Sequence, residues 1–203
     1  MYNAQEFLIQ SLPAVPLGVQ QVHRSSLSMQ RPFVEANTQA VDLQHLQSDC
    51  TVPVFAKDNE RTIAHQEFID VALQAINQVY GNGQLVPEIR VSHPIKGRTP
   101  EAIHKAANQL QEHEKTIYYE RMAFAVEIPS ITQEINGNLL TLTAGGVRAY
   151  NAQNLYNKKA LEHFKFFIGF KNMVCCNMCI STDGAKEDLR VGSTEELFIR
   201  LIR

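Results

Sequence analysis

The pair Asn136-Gly137 constrains the fold of this chain more than any other short sequence feature. It separates two segments, 116–131 and 138–150, that are rich in β-branched and aromatic residues and in which apolar and polar positions alternate. Asn followed by Gly tolerates the positive φ angles that a tight hairpin turn requires. The two segments are therefore predicted to form an antiparallel hairpin, and 164–180 is predicted to supply a further strand of the same sheet.

Two helices are predicted to pack against this sheet. In 66–80 the apolar residues recur with i, i+3, i+4, i+7 spacing, and Gly81 supplies a stop. In 100–113, Thr99 is placed as the N-cap and Pro100 as the first helical residue. Helices beside a mostly antiparallel sheet make α+β the expected fold class.

The domain organisation follows from a shift in composition near residue 50. Residues 1–50 are rich in Gln, Ser and Pro with scattered apolar positions, so they are predicted to be an N-terminal arm, packed or partly disordered. A single α+β domain is predicted for 51–203, starting with the β-rich stretch 51–56. Ser193 and Glu196 have capping-box spacing for a last helix that runs to the end of the sequence. We therefore expect the natural domain to continue beyond this helix, or a partner to cover its end.

Composition argues against insertion in a membrane. The chain is 44% hydrophobic and 20% charged, and no apolar run approaches the roughly 20 residues that a spanning helix needs. The four cysteines do not have the even spread of a secreted disulfide framework. We expect a cytoplasmic protein with reduced thiols and no membrane partner.

Cys175, Cys176 and Cys179 crowd into five positions, and their spacing leaves metal binding, redox chemistry and packing open. On a strand, Cys175 and Cys179 would lie about 13 Å apart on one side, too far for one metal ion or one disulfide. On a helix the three thiols would form one stripe, but structural zinc usually needs four ligands. The favoured interpretation is packing, with Cys176 on the core side of a strand and no metal bound.

Basic side chains concentrate in 135–182, where five of them are offset by Glu162 alone. A second basic cluster, in 90–105, precedes and enters the predicted helix, whose free N–H groups would favour an anion. Ordinary solvated loops would give the same pattern. The residues predicted to bind nucleic acid or another anion are Arg90, Lys96, Arg98, Arg148, Tyr150, Lys158 and Lys159.

Motifs of known enzyme classes are missing from the sequence. It has no phosphate-binding G-x-x-x-x-G-K-[ST], no G-x-G-x-x-G, no G-x-S-x-G and no H-E-x-x-H. We therefore assign no catalytic residue, metal ligand or cofactor. One alternative remains, because Asp70, Glu88 and Arg90 supply the two carboxylates and the cation that metal-assisted phosphodiester cleavage requires. That alternative is a metal-dependent enzyme acting on nucleic acid.

Five stretches together resemble the bacterial domain of unknown function family 3871, over about residues 50–200. These stretches are 51–68, 88–105, 115–131, 142–159 and 167–184. The segment "MVCCNMCI" alone also resembles the phage/plasmid-like domain of unknown function family 932. The resemblances imply a gene carried by mobile elements, and they supply neither an activity nor catalytic residues.

Two classes of function are compatible with these observations. A binding protein would use the basic segments and their aromatic residues, whereas an enzyme would need convergent acid, base or metal groups that the sequence does not assemble. We expect a non-catalytic protein that binds nucleic acid or another mobile-element protein.

Overall fold

The computed structural model describes residues 33–50, 62–81, 83–152 and 161–203. Within these ranges the helices are α1 Leu43–Ser48, α2 His65–Tyr80 and α3 Thr194–Leu201. The strands are β1 Val34–Glu35, β2 Gln39–Val41, β3 Glu88–Val91, β4 Ile95–Arg98, β5 Lys115–Tyr118, β6 Arg121–Ile135, β7 Asn138–Ala149, β8 Glu162–Gly169, β9 Asn172–Cys175, β10 Ile180–Thr182 and β11 Ala185–Val191.

A six-stranded sheet in the order β11-β8-β7-β6-β3-β2 forms the centre of the molecule, and all its strand pairs are antiparallel. Helix α2 packs against one face of this main sheet and a smaller sheet against the other. The predicted α+β class with a mostly antiparallel sheet is confirmed.

The β6–β7 hairpin forms where the Asn-Gly pair predicted it. Asn136 and Gly137 have φ angles of 54° and 75°, and the flanking residues Ile135 and Asn138 are paired. The register shifts between Ile128 and Thr132, next to Pro129, which has no N–H to donate to the ladder. The strands are therefore long but bend at this irregularity.

Helix α2 confirms the predicted helix at 66–80, and its apolar face supplies much of the core. Phe68, Ile69 and Ala72 are fully buried against the main sheet. A Cβ atom on Gly146 would overlap the rings of Phe68 and Phe124. Glycine at this position of β7 therefore lets the helix approach the sheet closely.

A smaller sheet in the order β1-β9-β10 covers part of the opposite face. Its buried residues Val34, Val174 and Met178 pack with Ala123 and Val147 of the main sheet in a second apolar cluster. The remainder of this face of the main sheet is open to solvent near β8 and β11, and it carries the site described below.

The predicted helix at 100–113 is wrong. Strands β4 and β5 form a separate two-stranded sheet, and the chain between them makes short 3₁₀ turns at 100–102, 107–109 and 112–114. Ala102 is buried but Ile103 is half exposed, so the segment has no continuous apolar face to bury. Favourable end signals do not suffice for an α-helix without such a face.

The predicted single strand at 164–180 is also wrong, because the chain reverses direction twice within it. Strand β8 ends at Gly169, and β9 and β10 then form a hairpin of their own. The stretch 87–93 predicts a short strand, and β3 forms within it at Glu88–Val91. The capped last helix is also confirmed, with the Ser193 side chain accepting a hydrogen bond from the N–H of Glu196 at 3.2 Å.

Residues 33–50 of the predicted N-terminal arm contribute β1, β2 and α1, whereas residues 1–32 lie outside the described residues. The predicted strand at 51–56 lies outside them too. The division of the chain at residue 50 stays a prediction. Within the described ranges, no helix has the length and apolar character needed to cross a membrane.

Candidate anion-binding site

The predicted basic residues of 90–98 do not share one surface. Arg90 of β3 lies on the face of the main sheet opposite α2, and its guanidinium donates to the Thr38 hydroxyl at 3.1 Å and to the Thr38 carbonyl at 3.0 Å. Lys96 and Arg98 belong to the separate β4–β5 sheet. Lys96 is exposed, while Arg98 donates to the carbonyl oxygen of Lys105.

Arg148 and Tyr150 belong to the core and not to the predicted basic surface. They are only 1% and 3% exposed. Arg148 lies on the α2 side of β7, next to Gly146 in the alternation of the strand. Lys158 and Lys159 lie outside the described residues. Their predicted role in binding is therefore still a prediction.

The Arg148 guanidinium forms a buried ion pair with Glu162 and also donates to the Ile63 carbonyl. Its Cζ atom lies 4.6 Å from the ring centre of Tyr150 and 4.4 Å from that of Phe164. Burial lowers the pKa of Arg148 and raises the pKa of Glu162, even though each charge favours the other. Burying these two charges costs desolvation free energy, which their attraction for each other and their hydrogen bonds offset.

His65 completes this buried cluster as a neutral side chain. Its ring stacks on Tyr150 with centroids 4.3 Å apart, and Nε2 donates to the Tyr119 carbonyl at 2.8 Å. Burial and the Arg148 guanidinium lower the pKa of His65 to about 3. The cluster therefore stabilises the junction of α2, β7 and β8 and offers no ligand-accessible base at neutral pH.

An open cavity of about 160 Å³ lies on the opposite face of the main sheet, between β6, β8 and the β9–β10 hairpin. Of the described residues that line it, none carries a carboxylate. Those residues are Arg121, Val147, Arg148, Ala149, Asn151, His163, Lys165, Asn177 and Met178. Arg148 contributes backbone here, because its side chain is fully buried on the other face. Two cations, one histidine and two amides thus surround one space, which we call the basic cavity.

The two cations are held in position by hydrogen bonds that they donate to carbonyl oxygens of the hairpin. Arg121 Nη1 donates to the Cys176 carbonyl at 3.2 Å, and Lys165 Nζ donates to the Met178 carbonyl at 3.3 Å. A guanidinium has five N–H donors and an ammonium three, so each retains donors for a ligand. His163 Nε2 lies 3.2 Å from the Asp188 carboxylate, so an acidic side chain lies next to the cavity on this side.

Strand register places a further cation, Arg90, in the same row of the main sheet as Lys165. Arg90 is paired with Ala123, Ala123 with Val147, and Val147 with Lys165. Strands lie about 4.8 Å apart, so Arg90 and Lys165 begin about 14 Å from each other along one row. The Ala123 and Val147 side chains between them are buried under the smaller sheet, so the row is covered between Arg90 and the basic cavity.

A second open cavity, of about 260 Å³, shares Lys165 with the first. It is lined by Cys179, Ile180, Lys186, Glu187 and Asp188 in addition to Lys165. Its carboxylates make it electrically mixed, unlike the basic cavity. Lys186 Nζ donates to the Ile180 carbonyl at 3.4 Å, which places a second ammonium beside the hairpin.

The prediction that Cys176 faces the core from a strand is wrong, because the chain turns between β9 and β10. Cys175 N–H donates to the Cys179 carbonyl at 3.0 Å, and Met178 N–H donates to the Cys175 carbonyl at 2.9 Å. Cys176 and Cys179 are exposed, while Met178 is buried with a φ angle of 57°. Cys175 and Cys179 therefore oppose each other across a tight hairpin instead of lying about 13 Å apart.

Cys50, His45 and Asp49 form a constellation that the sequence reasoning missed. His45 Nδ1 lies 2.8 Å from Asp49 Oδ2, and Nε2 lies 3.8 Å from the Cys50 thiol and 2.8 Å from the Tyr119 hydroxyl. The order resembles a nucleophile, base and orienting carboxylate. Burial and Asp49 raise the pKa of Cys50 to about 11. The thiol therefore stays protonated at neutral pH, whereas a nucleophilic cysteine needs a lowered pKa.

The residues of the alternative metal site do not assemble with others as ligands. Asp70 lies on α2 and Glu88 on β3, and among the described residues no three His, Cys, Asp or Glu side chains are placed to hold a metal ion. The metal-dependent alternative thus has no assembled ligand set in this part of the chain.

Sequence reasoning also missed Arg121, His163 and Lys165 as a group. One weak signal was available: in "EHFKFFIG" basic residues alternate with aromatic ones, which puts His163 and Lys165 on one face of a strand. Arg121 lies far away in sequence and reaches them only through the order β8-β7-β6.

Comparison with known proteins gives one family match. The matching family model is described as "Domain of unknown function, B. Theta Gene description (DUF3871)", and it covers residues 20–203. No curated protein and no solved structure matches the chain. The resemblance predicted from the five sequence stretches is confirmed, and the fainter similarity of 173–180 to family 932 stays a prediction.

Proposed function

The chain belongs to the DUF3871 family, and we propose that it is a non-catalytic nucleic-acid-binding protein that uses the basic cavity to bind backbone phosphates. One observation carries the proposal: Arg121, His163 and Lys165 line one open cavity, and no carboxylate is among its described lining residues. Arginine and lysine are the principal donors to phosphate in nucleic-acid complexes.

The shape of the site favours a chain of phosphates over a single anion. Arg121 of β6, Lys165 of β8 and Lys186 of β11 lie on the face of the main sheet opposite α2, and Asp188 is the strand partner of Lys165. Cations spread over several strands suit a polymer with regularly spaced charges. Because none of the described helices lines the cavity, where it could read base edges, the proposed binding has little sequence preference.

Carriage of the gene on a mobile element and a cytoplasmic location are parts of this proposal. The first is supported by the family resemblances. The second is supported by the free thiols of Cys50, Cys175, Cys176 and Cys179, because reduced cysteines are typical of the cytoplasm. The predicted alternative partner, another mobile-element protein, becomes the better proposal if nucleic acid does not bind.

The test is fluorescence anisotropy with labelled single- and double-stranded oligonucleotides at about 50 mM and 200 mM salt. Arg121→Ala and Lys165→Ala are each expected to weaken binding about tenfold, the order expected for losing one hydrogen bond to a charged group. Lys96→Ala tests the surface that the sequence predicted on β4.

Arg200→Ala is the matched control. It removes one positive charge from α3, where Arg200 is half exposed and pairs only loosely with Glu196 at 3.6 Å. Circular dichroism melts of all variants separate loss of binding from loss of folding. Absence of binding at the lower salt, or equal affinities for wild type and both cavity variants, would overturn the proposal.

A further inference from the structure

The hairpin that closes the basic cavity also carries a pair of opposed thiols. Cys175 ends β9 and Cys179 precedes β10, and the hydrogen bond from Cys175 N–H to the Cys179 carbonyl at 3.0 Å fixes them as cross-strand partners. Opposed residues of this kind have Cα atoms about 5.5 Å apart, within the range of 4.4–6.8 Å that a disulfide bridges. The separation of the two Cα atoms is therefore compatible with a disulfide.

The surroundings of the pair favour thiolate chemistry. Hydrogen bonds from the backbone of Cys179 and Asn177 lower the pKa of the Cys175 thiol, and the Cys179 side chain adds a further hydrogen bond. Cys179 is exposed, and it lines the cavity of about 260 Å³ that also contains Lys165 and Lys186. Cys175 is partly exposed and Cys179 exposed, so a small molecule can reach the pair beside a cavity that holds two carboxylates as well as the two ammonium groups.

We propose that Cys175 and Cys179 are a redox-active dithiol that low-molecular-weight disulfides oxidise to a disulfide within the hairpin. The Cys175 thiolate attacks one sulfur of the external disulfide and releases the first external thiolate, which gives a mixed disulfide. Cys179 then loses its proton to water, attacks Sγ of Cys175 and releases the second external thiolate. The protein loses two electrons and two protons, and the external disulfide gains them as two thiols.

Cys176 takes no part in this chemistry. It precedes Asn177 in the turn, and its carbonyl oxygen, not its thiol, is the group that contacts Arg121. The three cysteines therefore divide into a cross-strand pair and a single exposed thiol, which supplies an internal control that differs from the pair by position alone.

The experiment equilibrates the full chain in buffers of reduced and oxidised glutathione, blocks free thiols by alkylation and identifies the products by mass spectrometry. Trypsin cleaves after Lys171 and Lys186, so all three cysteines fall in one peptide. The expected product keeps one alkylated cysteine, Cys176, and has lost two hydrogen atoms. Half of the folded chain is expected to be oxidised at a ratio of oxidised to reduced glutathione that is about tenfold less oxidising than the ratio needed in urea. This corresponds to a difference of about 30 mV in the two-electron reduction potential of the cysteine pair.

Single substitutions distinguish the pair from general thiol reactivity. Cys176→Ser is expected to oxidise as wild type does, whereas Cys175→Ser and Cys179→Ser are expected to stop at mixed disulfides with glutathione. All three positions lie at the hairpin surface, and circular dichroism checks that the variants fold. The proposal is overturned if Cys176→Ser does not form the disulfide, or if Cys175→Ser or Cys179→Ser forms one as readily as wild type. It is also overturned if the wild type accumulates the mixed disulfide with glutathione.

Discussion

Breaking the buried ion pair between Arg148 and Glu162 is expected to destabilise the fold strongly. The Arg148 side chain is fully buried and that of Glu162 is 12% exposed. Glu162→Gln keeps the shape and an acceptor for Ile63 N–H but leaves the guanidinium without a counter-charge. Removing one partner of a buried pair costs about 3–5 kcal/mol, and the partial exposure of Glu162 places the expected loss near the lower end. In a chain of this size, Tm would fall by roughly 6–12 °C.

The double substitution tests the physical reason. Arg148→Met with Glu162→Gln removes both charges, so the desolvation cost disappears together with the attraction that offset it. The double variant is expected to be more stable than the sum of the two single effects predicts, by about 2–3 kcal/mol. Unfolding in urea followed by far-ultraviolet circular dichroism, with unchanged m-values, gives the four free energies of the cycle.

An exposed ion pair supplies the control for this cycle. Arg200→Met removes the Arg200–Glu196 pair on α3, which has its charged groups 3.6 Å apart and largely in solvent. Such pairs contribute about 0–1 kcal/mol. If the single effects at Arg148 and Glu162 add within about 0.5 kcal/mol, the two groups are not coupled and the reasoning about the buried pair is refuted.

Three further outcomes follow from the buried and turn residues. The pKa of His65 is lowered to about 3 in the folded chain, so on acidification the unfolded chain takes up a proton at this residue before the folded chain does. The free energy of unfolding should therefore fall between about pH 6.5 and 3, by at most about 1.4 kcal/mol per pH unit. The urea midpoint should decrease more between pH 7 and 5 for wild type than for His65→Gln, and equal decreases would contradict this. A Cβ on Gly145 would overlap the Phe124 carbonyl and the Phe167 ring, so Gly145→Ala should cost about 1–3 kcal/mol in the same assay, and an unchanged midpoint contradicts it. Backbone hydrogen bonds lower the pKa of Cys175, so its alkylation rate should reach half-maximum at a lower pH in the folded chain than in urea. Alkylation stopped at set times and quantified by mass spectrometry measures this rate, and identical pH profiles in the two conditions would contradict the prediction.

The sequence predicted those elements in which local preference and burial agree. Asn136-Gly137 accepts the positive φ angles that the β6–β7 turn needs, and helix α2 has an apolar face that the sheet covers. The turn after Cys175 could not be predicted from the sequence, because Met178 adopts a φ angle of 57° that is usual only for glycine or asparagine. Its buried side chain holds it there. Packing between strands that are distant in the sequence determines the conformation of Met178, and the spacing of residue types along the chain does not predict it.

The basic residues that the sequence predicted do not form one surface in the described part of the chain, for a related reason. Arg148 counted as a surface cation because its partner, Glu162, lies on the neighbouring strand and is not recognisable without the strand order. Arg121, His163 and Lys165 converge only because β6 and β8 flank β7. Charge composition shows how many cations a segment carries, whereas the topology determines which of them lie close together.

The slope of log affinity against log salt concentration tests the proposed phosphate contacts most directly. For the wild type on double-stranded oligonucleotides, the slope should be linear and near −0.9 for each phosphate neutralised. Arg121→Ala and Lys165→Ala should each make it shallower by roughly one, while Arg200→Ala should leave it unchanged. Slopes that are the same for all four proteins would contradict phosphate binding at the basic cavity, even if nucleic acid binds elsewhere on the chain.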